Sequence, residues 1–100
     1  MKLSVDEALR RGLTGPVCEA LLAALRAGQS PFQDLLRLAD AAQAQPELLR
    51  QLRREVTRLR PLESAAWRVA VLCDRHLHEW AEAVASIRRC YALGDRDDQL

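Results

Sequence analysis

The fold is decided by the stretch AWRVAVLCDRHLHEWAEAVASIRRCYALGD, residues 66–95. Its apolar residues recur at spacings of three and four, which is the period of an α-helix and not that of a strand. The second run stops just before Gly94, and glycine is the residue best suited to the left-handed position after a helix end. We therefore predict a hairpin of two antiparallel helices, over about 62–77 and 79–93.

The second helix of this hairpin is predicted to bury its large apolar side chains. One side of it carries Trp80, Ala83, Val84, Ile87, Cys90 and Tyr91, and the other side carries Glu82, Ser86 and Arg89. Both tryptophans, Trp67 and Trp80, are predicted to be core members of the hairpin. The alternative is that one of them is a partly exposed anchor for a partner protein.

Two further helices are predicted in the first part of the chain. Ser4 is a suitable N-cap for a short helix that Gly12 would end. The next helix is predicted to begin at Thr14 or Gly15 and to end at Gly28. The connections are short, which favours antiparallel neighbours.

Two more helices follow in the middle of the chain. Ser30 and Gln33 have the spacing of a capping box, and the buried face that follows is predicted to hold Phe32, Leu35, Leu36, Ala39 and Ala42. The fourth helix is predicted between Pro46 and Pro61. Its apolar residues form a narrow seam that is predicted to lie in the core: Leu49, Leu52, Val56 and Leu59.

The composition restricts the class of protein. The chain has 100 residues, 49% of them apolar, and a formal charge of +1, so we expect one domain with no electrostatic preference for nucleic acid or membranes. No apolar run is long enough to span a bilayer. The N-terminal residues MKLSVDEALRR have acids where a signal peptide would be apolar, so we expect a cytoplasmic protein.

No catalytic or metal-binding pattern stands out. The three cysteines, Cys18, Cys73 and Cys90, are odd in number, lack a C-x-x-C motif and are predicted to be reduced, packed thiols. The group around Cys73 includes His76 and His78, but these two diverge on a helix. We expect no enzyme activity, no cofactor and no metal.

Residues 64–97 resemble a tetratricopeptide repeat (TPR), a helix–turn–helix unit of 34 residues. The matching residues are Trp67, Trp80, the pair Glu82-Ala83, Ile87 and Cys90. The sequence departs from the family at Val71, Asp74, His78 and Asp95, where a small residue, an aromatic, a glycine and a proline are usual. The apolar and Pro/Gly pattern predicts an all-α single domain of five to six short antiparallel helices over 1–94, with a charged, frayed tail over 95–100. The resemblance implies that this bundle is built from TPR-like hairpins.

The resemblance also implies a binding groove. In the family, the first helix of each pair lines a concave surface, and the corresponding residues here are Ala65, Arg68, Leu72, Arg75 and His76. This apolar strip flanked by cations would suit an amphipathic helix or an acidic segment of a protein partner. The resemblance thus implies a non-enzymatic protein–protein interaction module.

A narrower resemblance covers LESAAWRVAVLCDRHL, residues 62–77. It is similar to a segment of the TPR-type chaperones that hold the needle subunit in bacterial type III secretion. The shared features are Leu62-Glu63, Trp67, Leu72-Cys73, Asp74 and Leu77. This similarity implies a small bacterial chaperone or adaptor in the cytoplasm that holds a polymerising helical subunit.

Two alternatives concern the helix at 46–60. Its arginines, Arg50, Arg53, Arg54, Arg58 and Arg60, could contact phosphates, although nucleic acid is the less favoured partner because Glu47 and Glu55 are interspersed with them. The apolar seam is the other alternative, as a partner or homodimer surface of a homo-oligomeric structural protein. That surface would consist of Leu49, Leu52, Arg53, Val56 and Leu59.

Overall fold

The computed structural model describes residues 5–27 and 31–95, and over these ranges the chain forms six α-helices and no strand. The helices are α1 (Val5–Arg11), α2 (Gly15–Arg26), α3 (Phe32–Ala41), α4 (Pro46–Leu59), α5 (Ser64–His76) and α6 (Trp80–Ala92). The all-α prediction is confirmed. The predicted caps at Ser4 and Ser30, the predicted end at Gly28 and the tail residues 96–100 lie outside the described residues.

Proline and glycine set several helix boundaries. Pro46 is the first residue of α4, where its fixed φ suits the helix and its missing N–H is not needed. Gly12 directly follows α1 with a φ of +91°, and its N–H still donates to the carbonyl of Ala8 over 3.0 Å. The predicted end at Gly12 is therefore confirmed, because a side chain would be strained at that φ.

Helix α5 ends in a Schellman motif centred on His78. The N–H of Glu79 donates to the carbonyl of Asp74 over 2.9 Å, and the N–H of His78 donates to the carbonyl of Arg75 over 3.0 Å. His78 takes a φ of +57°, which is uncommon for residues other than glycine, although Asn, Asp and His adopt it more often than the rest. This left-handed residue turns the chain directly into α6.

Helix α6 ends in the same motif, with glycine at the corresponding position. Asp95 N–H donates to the Cys90 carbonyl and Gly94 N–H to the Tyr91 carbonyl, each over 3.0 Å. Gly94 has a φ of +96°, so the predicted role of this glycine is confirmed.

Helix α5 lies at the centre of the arrangement. It packs against α3, α4 and α6; α4 also packs against α2, and α1 packs against α2 and α3. Thus α1 contacts α3, and α3 contacts α5. The hydrophobic core lies between these helices and is built mainly from leucine, valine and alanine. None of the helices over residues 5–27 and 31–95 has the length and apolar character needed to cross a bilayer.

The apolar seam of α4 is part of this core. Leu49, Leu52 and Val56 are fully buried, and half-buried Leu59 packs against the same cluster. The core prediction for the seam is therefore confirmed. In the folded chain these side chains are covered by the chain's own helices, so three of the residues in the alternative partner surface do not lie on a surface.

The prediction for the buried side of α6 is right for Ala83 and Cys90 and wrong for the large side chains. The buried residues of this helix are Ala83, Ser86 and Cys90, whereas Trp80 and Tyr91 are exposed. Small side chains allow α6 to approach α5 closely, and the Ser86 hydroxyl finds a buried partner on α5. The helix is therefore rotated so that its small side chains, including the polar serine, face inward.

Candidate functional site

The outward side of α6 carries a continuous apolar surface. Trp80 is 57% exposed, Val84 48% and Tyr91 39%, and half-buried Ile87 lies between them. Their spacings of four, three and four place all four on one face of the helix. We call these four residues the outer stripe. It runs about 16 Å along α6, at 1.5 Å per residue.

One edge of the outer stripe is cationic. Arg88 follows Val84 by four positions and precedes Tyr91 by three, so it lies beside both of them. Its neighbours on the outward half of α6 are small and exposed: Ala81, Ala85 and Ala92. Glu82, the only acidic residue within α6, lies on another side of the helix, 3.6 Å from the Arg53 guanidinium of α4.

The two tryptophans have different surroundings. The Nε1 atom of half-buried Trp67 donates to the Pro61 carbonyl over 2.8 Å, and the Arg89 guanidinium lies 5.4 Å from its ring centroid. Trp80 contacts the ring of His78 edge-on, with the centroids 5.6 Å apart. The prediction that Trp80 is a core residue is therefore wrong, and it is Trp80 that corresponds to the alternative of an exposed aromatic residue.

The residues expected to line a groove on α5 do share one side of that helix. We call Ala65, Arg68, Leu72, Arg75 and His76 the α5 strip. Arg75 is exposed, and the other four are half-buried. Leu72 packs against the hydrophobic core, so only part of its side chain is available to a partner.

Two of the three basic side chains of the α5 strip, Arg68 and His76, already have partners within the chain. Arg68 makes a bidentate ion pair with Asp95, with Nε–Oδ2 at 2.5 Å and Nη2–Oδ1 at 2.6 Å. His76 Nε2 lies 3.0 Å from Asp40 Oδ1 of α3. An acidic partner would therefore compete with carboxylates of this chain for Arg68 and His76.

A buried polar network links α4, α5 and α6. Asp74 is fully buried; its Oδ1 accepts from Arg53 Nε over 2.6 Å, and its Oδ2 accepts from Ser86 Oγ over 3.0 Å. Arg53 Nη2 donates to Ser86 Oγ over 3.2 Å, which closes the triangle. Burial raises the pKa of the Asp74 carboxyl above its ordinary value, against the opposing charge of Arg53.

This network was not predicted from the sequence. The signal for it was Asp74 itself, because an acid in an apolar helix requires a donor on a neighbouring element. The apolar pattern puts Ser86 on the side of α6 opposite its large apolar residues, and it assigns Arg53 to a solvated helix face or to partner or phosphate contact. The structure instead joins these three residues inside the protein.

A polar cleft of about 340 Å³ opens beside the network, between α4 and the start of α6. It is lined by Arg50, Arg53, Arg54, Thr57, Leu77, Glu79 and Glu82. Arg50 pairs with Glu79 at 3.3 Å, and Arg58 pairs with Glu55 at 2.8 Å. Three of the four arginines within α4 thus form ion pairs with carboxylates of the same chain. The fourth, Arg54, is exposed and forms no ion pair within the described part of the chain.

The thiols are unpaired and poorly reactive. Burial, followed by the nearby charge of Asp74, raises the pKa of Cys73 to about 12. Burial also raises the pKa of Cys90 and of half-buried Cys18. Within residues 5–27 and 31–95, no group of three or more His, Cys, Asp and Glu side chains could hold a metal ion.

Comparison with known proteins gives no relative from which a function could be inferred. No protein-family model, curated protein or solved structure matches this chain. The surfaces described above are therefore the basis for assigning a role.

Proposed function

We propose that the protein is a non-enzymatic interaction module, a small bacterial chaperone or adaptor that holds an amphipathic helix of a partner protein against α6. The observation that carries the proposal is the exposure of Trp80, Val84 and Tyr91 on a single helix face. Isolated exposed apolar residues are ordinary, but a contiguous row of them is typical of a protein interface.

The apolar contact would supply much of the affinity. Covering a large apolar side chain that is now half exposed contributes roughly 1 kcal/mol, at about 25 cal/mol per Å² of apolar surface removed from water. Several such contacts must offset the entropy lost when two molecules associate. Trp80 is the natural anchor, since tryptophan is enriched among the residues that dominate binding energies.

The scaffold behind the outer stripe is suited to holding it in place. Helix α6 is fixed to α5 by buried Ala83 and Cys90 and by the Ser86–Asp74 hydrogen bond. A surface that is ordered before binding loses less entropy on association than a flexible one. This rigidity supports a role as a preformed platform for a partner helix.

The family resemblance supports the same class of function. The close packing of α5 against α6 is compatible with one TPR-like hairpin over residues 64–97, the part of the chain that carries the resemblance. The similarity of residues 62–77 to type III needle chaperones is the reason for proposing a bacterial cytoplasmic chaperone in particular. The outer stripe is preferred over the α5 strip because more of its apolar surface is exposed.

The proposal is tested by mapping partner binding onto α6. Tagged wild-type protein, Val84→Glu and Leu62→Glu are used to capture partners from the cells that express the protein. Leu62 is a matched control, because it is apolar and 82% exposed but lies outside the outer stripe. The captured partner is then cross-linked to the bait, and the linked segments are identified by mass spectrometry. We expect the wild type and Leu62→Glu to capture a partner that is linked through a helical segment, and we expect Val84→Glu to lose that partner. Capture that is equal in all three would contradict the proposed surface.

A further inference from the structure

The position of Arg88 restricts what can cover the outer stripe. Arg88 is exposed, and it has no ion pair or hydrogen bond with another side chain in the described part of the chain. This sets it apart from Arg89, which lies over the Trp67 ring, and from Arg53, which is bound to Asp74. A helix packed on Val84 and Tyr91 would partly desolvate the Arg88 guanidinium, a cost that a nearby carboxylate would offset.

A second copy of α6 does not provide that carboxylate. The outward half of α6 has alanines and Arg88 beside the outer stripe, whereas Glu82 faces Arg53 on another side. If two stripes packed together with the helices antiparallel, both Arg88 residues would lie on the same edge of the interface. Like charges on a shared edge disfavour this pairing.

We infer that the occupant of the outer stripe is a helix of a different protein, with an apolar ridge and an aspartate or glutamate beside it that pairs with Arg88. This inference rests on the proposed function and specifies the chemistry of its partner. To match a stripe of about 16 Å, the partner helix needs about 11 residues. The apolar ridge provides the affinity, and the carboxylate fixes the register and direction of the helix.

The experiment is a selection from a displayed library of helical peptides, with the full chain as bait. The peptides are about 16 residues long, with a ridge of randomised apolar residues and flanking positions randomised among Glu, Lys and Gln. The baits are wild type, Arg88→Glu and Arg89→Glu. Arg89→Glu is the matched control, since it makes the same charge change on the same helix but away from the outer stripe.

We expect wild type and Arg89→Glu to enrich peptides with Glu at one flank of the ridge, and Arg88→Glu to enrich Lys there. For one selected acidic peptide, Arg88→Glu is expected to weaken binding about tenfold, because an attraction is replaced by a repulsion. An enriched apolar ridge without a flank preference would overturn the inference and leave the proposed function standing. Failure to enrich any apolar ridge would overturn both.

The remaining outcome concerns a second copy of the chain. Sedimentation of the wild type and Val84→Glu is measured over a range of concentrations without peptide. We expect both to sediment as monomers. A wild-type dimer that Val84→Glu dissociates would show that the outer stripe pairs with itself, and would overturn the inference.

Discussion

Ser86 Oγ on α6 donates a hydrogen bond of 3.0 Å to Asp74 Oδ2 on α5, at a point where neither residue is more than 1% exposed. Arg53 on α4 binds both side chains, so three helices are joined through one buried carboxylate. All the buried side-chain polar atoms in the described part of the chain have a hydrogen-bond partner. A satisfied network of this kind favours one register of α5 against α6, and with it the outward orientation of the outer stripe.

Removing the Asp74 carboxyl is expected to destabilise the protein strongly. Asp74→Ala leaves Arg53 and Ser86 without their shared acceptor, and we expect a loss of about 3 kcal/mol in the free energy of unfolding. Asp74→Asn keeps an acceptor and is expected to cost about 1 kcal/mol. Urea unfolding followed by circular dichroism measures both. Glu82→Gln is the control, expected within about 0.5 kcal/mol because Glu82 is exposed. Equal losses for the two Asp74 variants would show that the buried acceptor is unimportant.

The stability difference between the wild type and Asp74→Asn should depend on pH. Burial raises the Asp74 pKa in the folded protein above its ordinary value of 3.8, so the folded state binds the proton more tightly than the unfolded state. The resulting stabilisation is full below 3.8 and is lost as the pH rises through the folded-state pKa. The wild type should therefore gain stability relative to Asp74→Asn as the pH falls from neutrality.

Comparing the wild type with Asp74→Asn separates the contribution of Asp74 to the pH dependence of stability from the contributions of other acids. The pKa of Asp6 is lowered by Arg37 and that of Glu55 by Arg58, so both of these acids contribute in the opposite direction on acidification. They are present in both proteins, and their effects cancel in the difference. Urea unfolding at a series of pH values gives the curve. A difference that shrinks as the pH falls would mean that the charge of Arg53 outweighs burial.

The left-handed residue between α5 and α6 gives a prediction about the turn. His78 has a φ of +57°, which glycine adopts without steric cost, so His78→Gly is expected to stabilise the protein by about 0.5–1 kcal/mol. At Gly94, in the same motif with a φ of +96°, Gly94→Ala is expected to destabilise by about 1 kcal/mol. Thermal unfolding of the two variants measures these opposite effects. A destabilised His78→Gly would show that the edge-on contact of His78 with Trp80 outweighs the backbone strain.

The helices of this protein could be predicted from the sequence because their signals are local. The apolar period, Pro46 at the start of α4 and Gly94 after α6 each act within a few residues of the boundary that they set. The period of the apolar seam likewise predicts that Leu52 is buried, and it is. Such features require no knowledge of which helix packs against which.

The rotation of α6 could not be predicted in this way. A helical projection assigns the buried side by hydrophobicity, which favours Trp80 and Val84 over Ser86. What decides the rotation is the partner that buried Asp74 requires and the close approach that small residues allow, and both depend on the neighbouring helix. The candidate site was missed for the same reason, since the outer stripe is exposed because α6 is turned this way.

The different surroundings of the two tryptophans give a direct optical test of the outer stripe. Trp80 is exposed, whereas Trp67 is half-buried and donates its indole N–H to Pro61. Trp67→Phe leaves only Trp80 as a tryptophan fluorophore, and we expect red-shifted emission that acrylamide quenches readily. Trp80→Phe leaves only Trp67, with less accessible emission. Adding a selected acidic peptide should shift the Trp80 emission to the blue and protect it from acrylamide, because the bound helix excludes water from the ring. If the peptide instead protected only the Trp67 signal, binding would be on the side of α5, and the outer stripe would not be the contact surface.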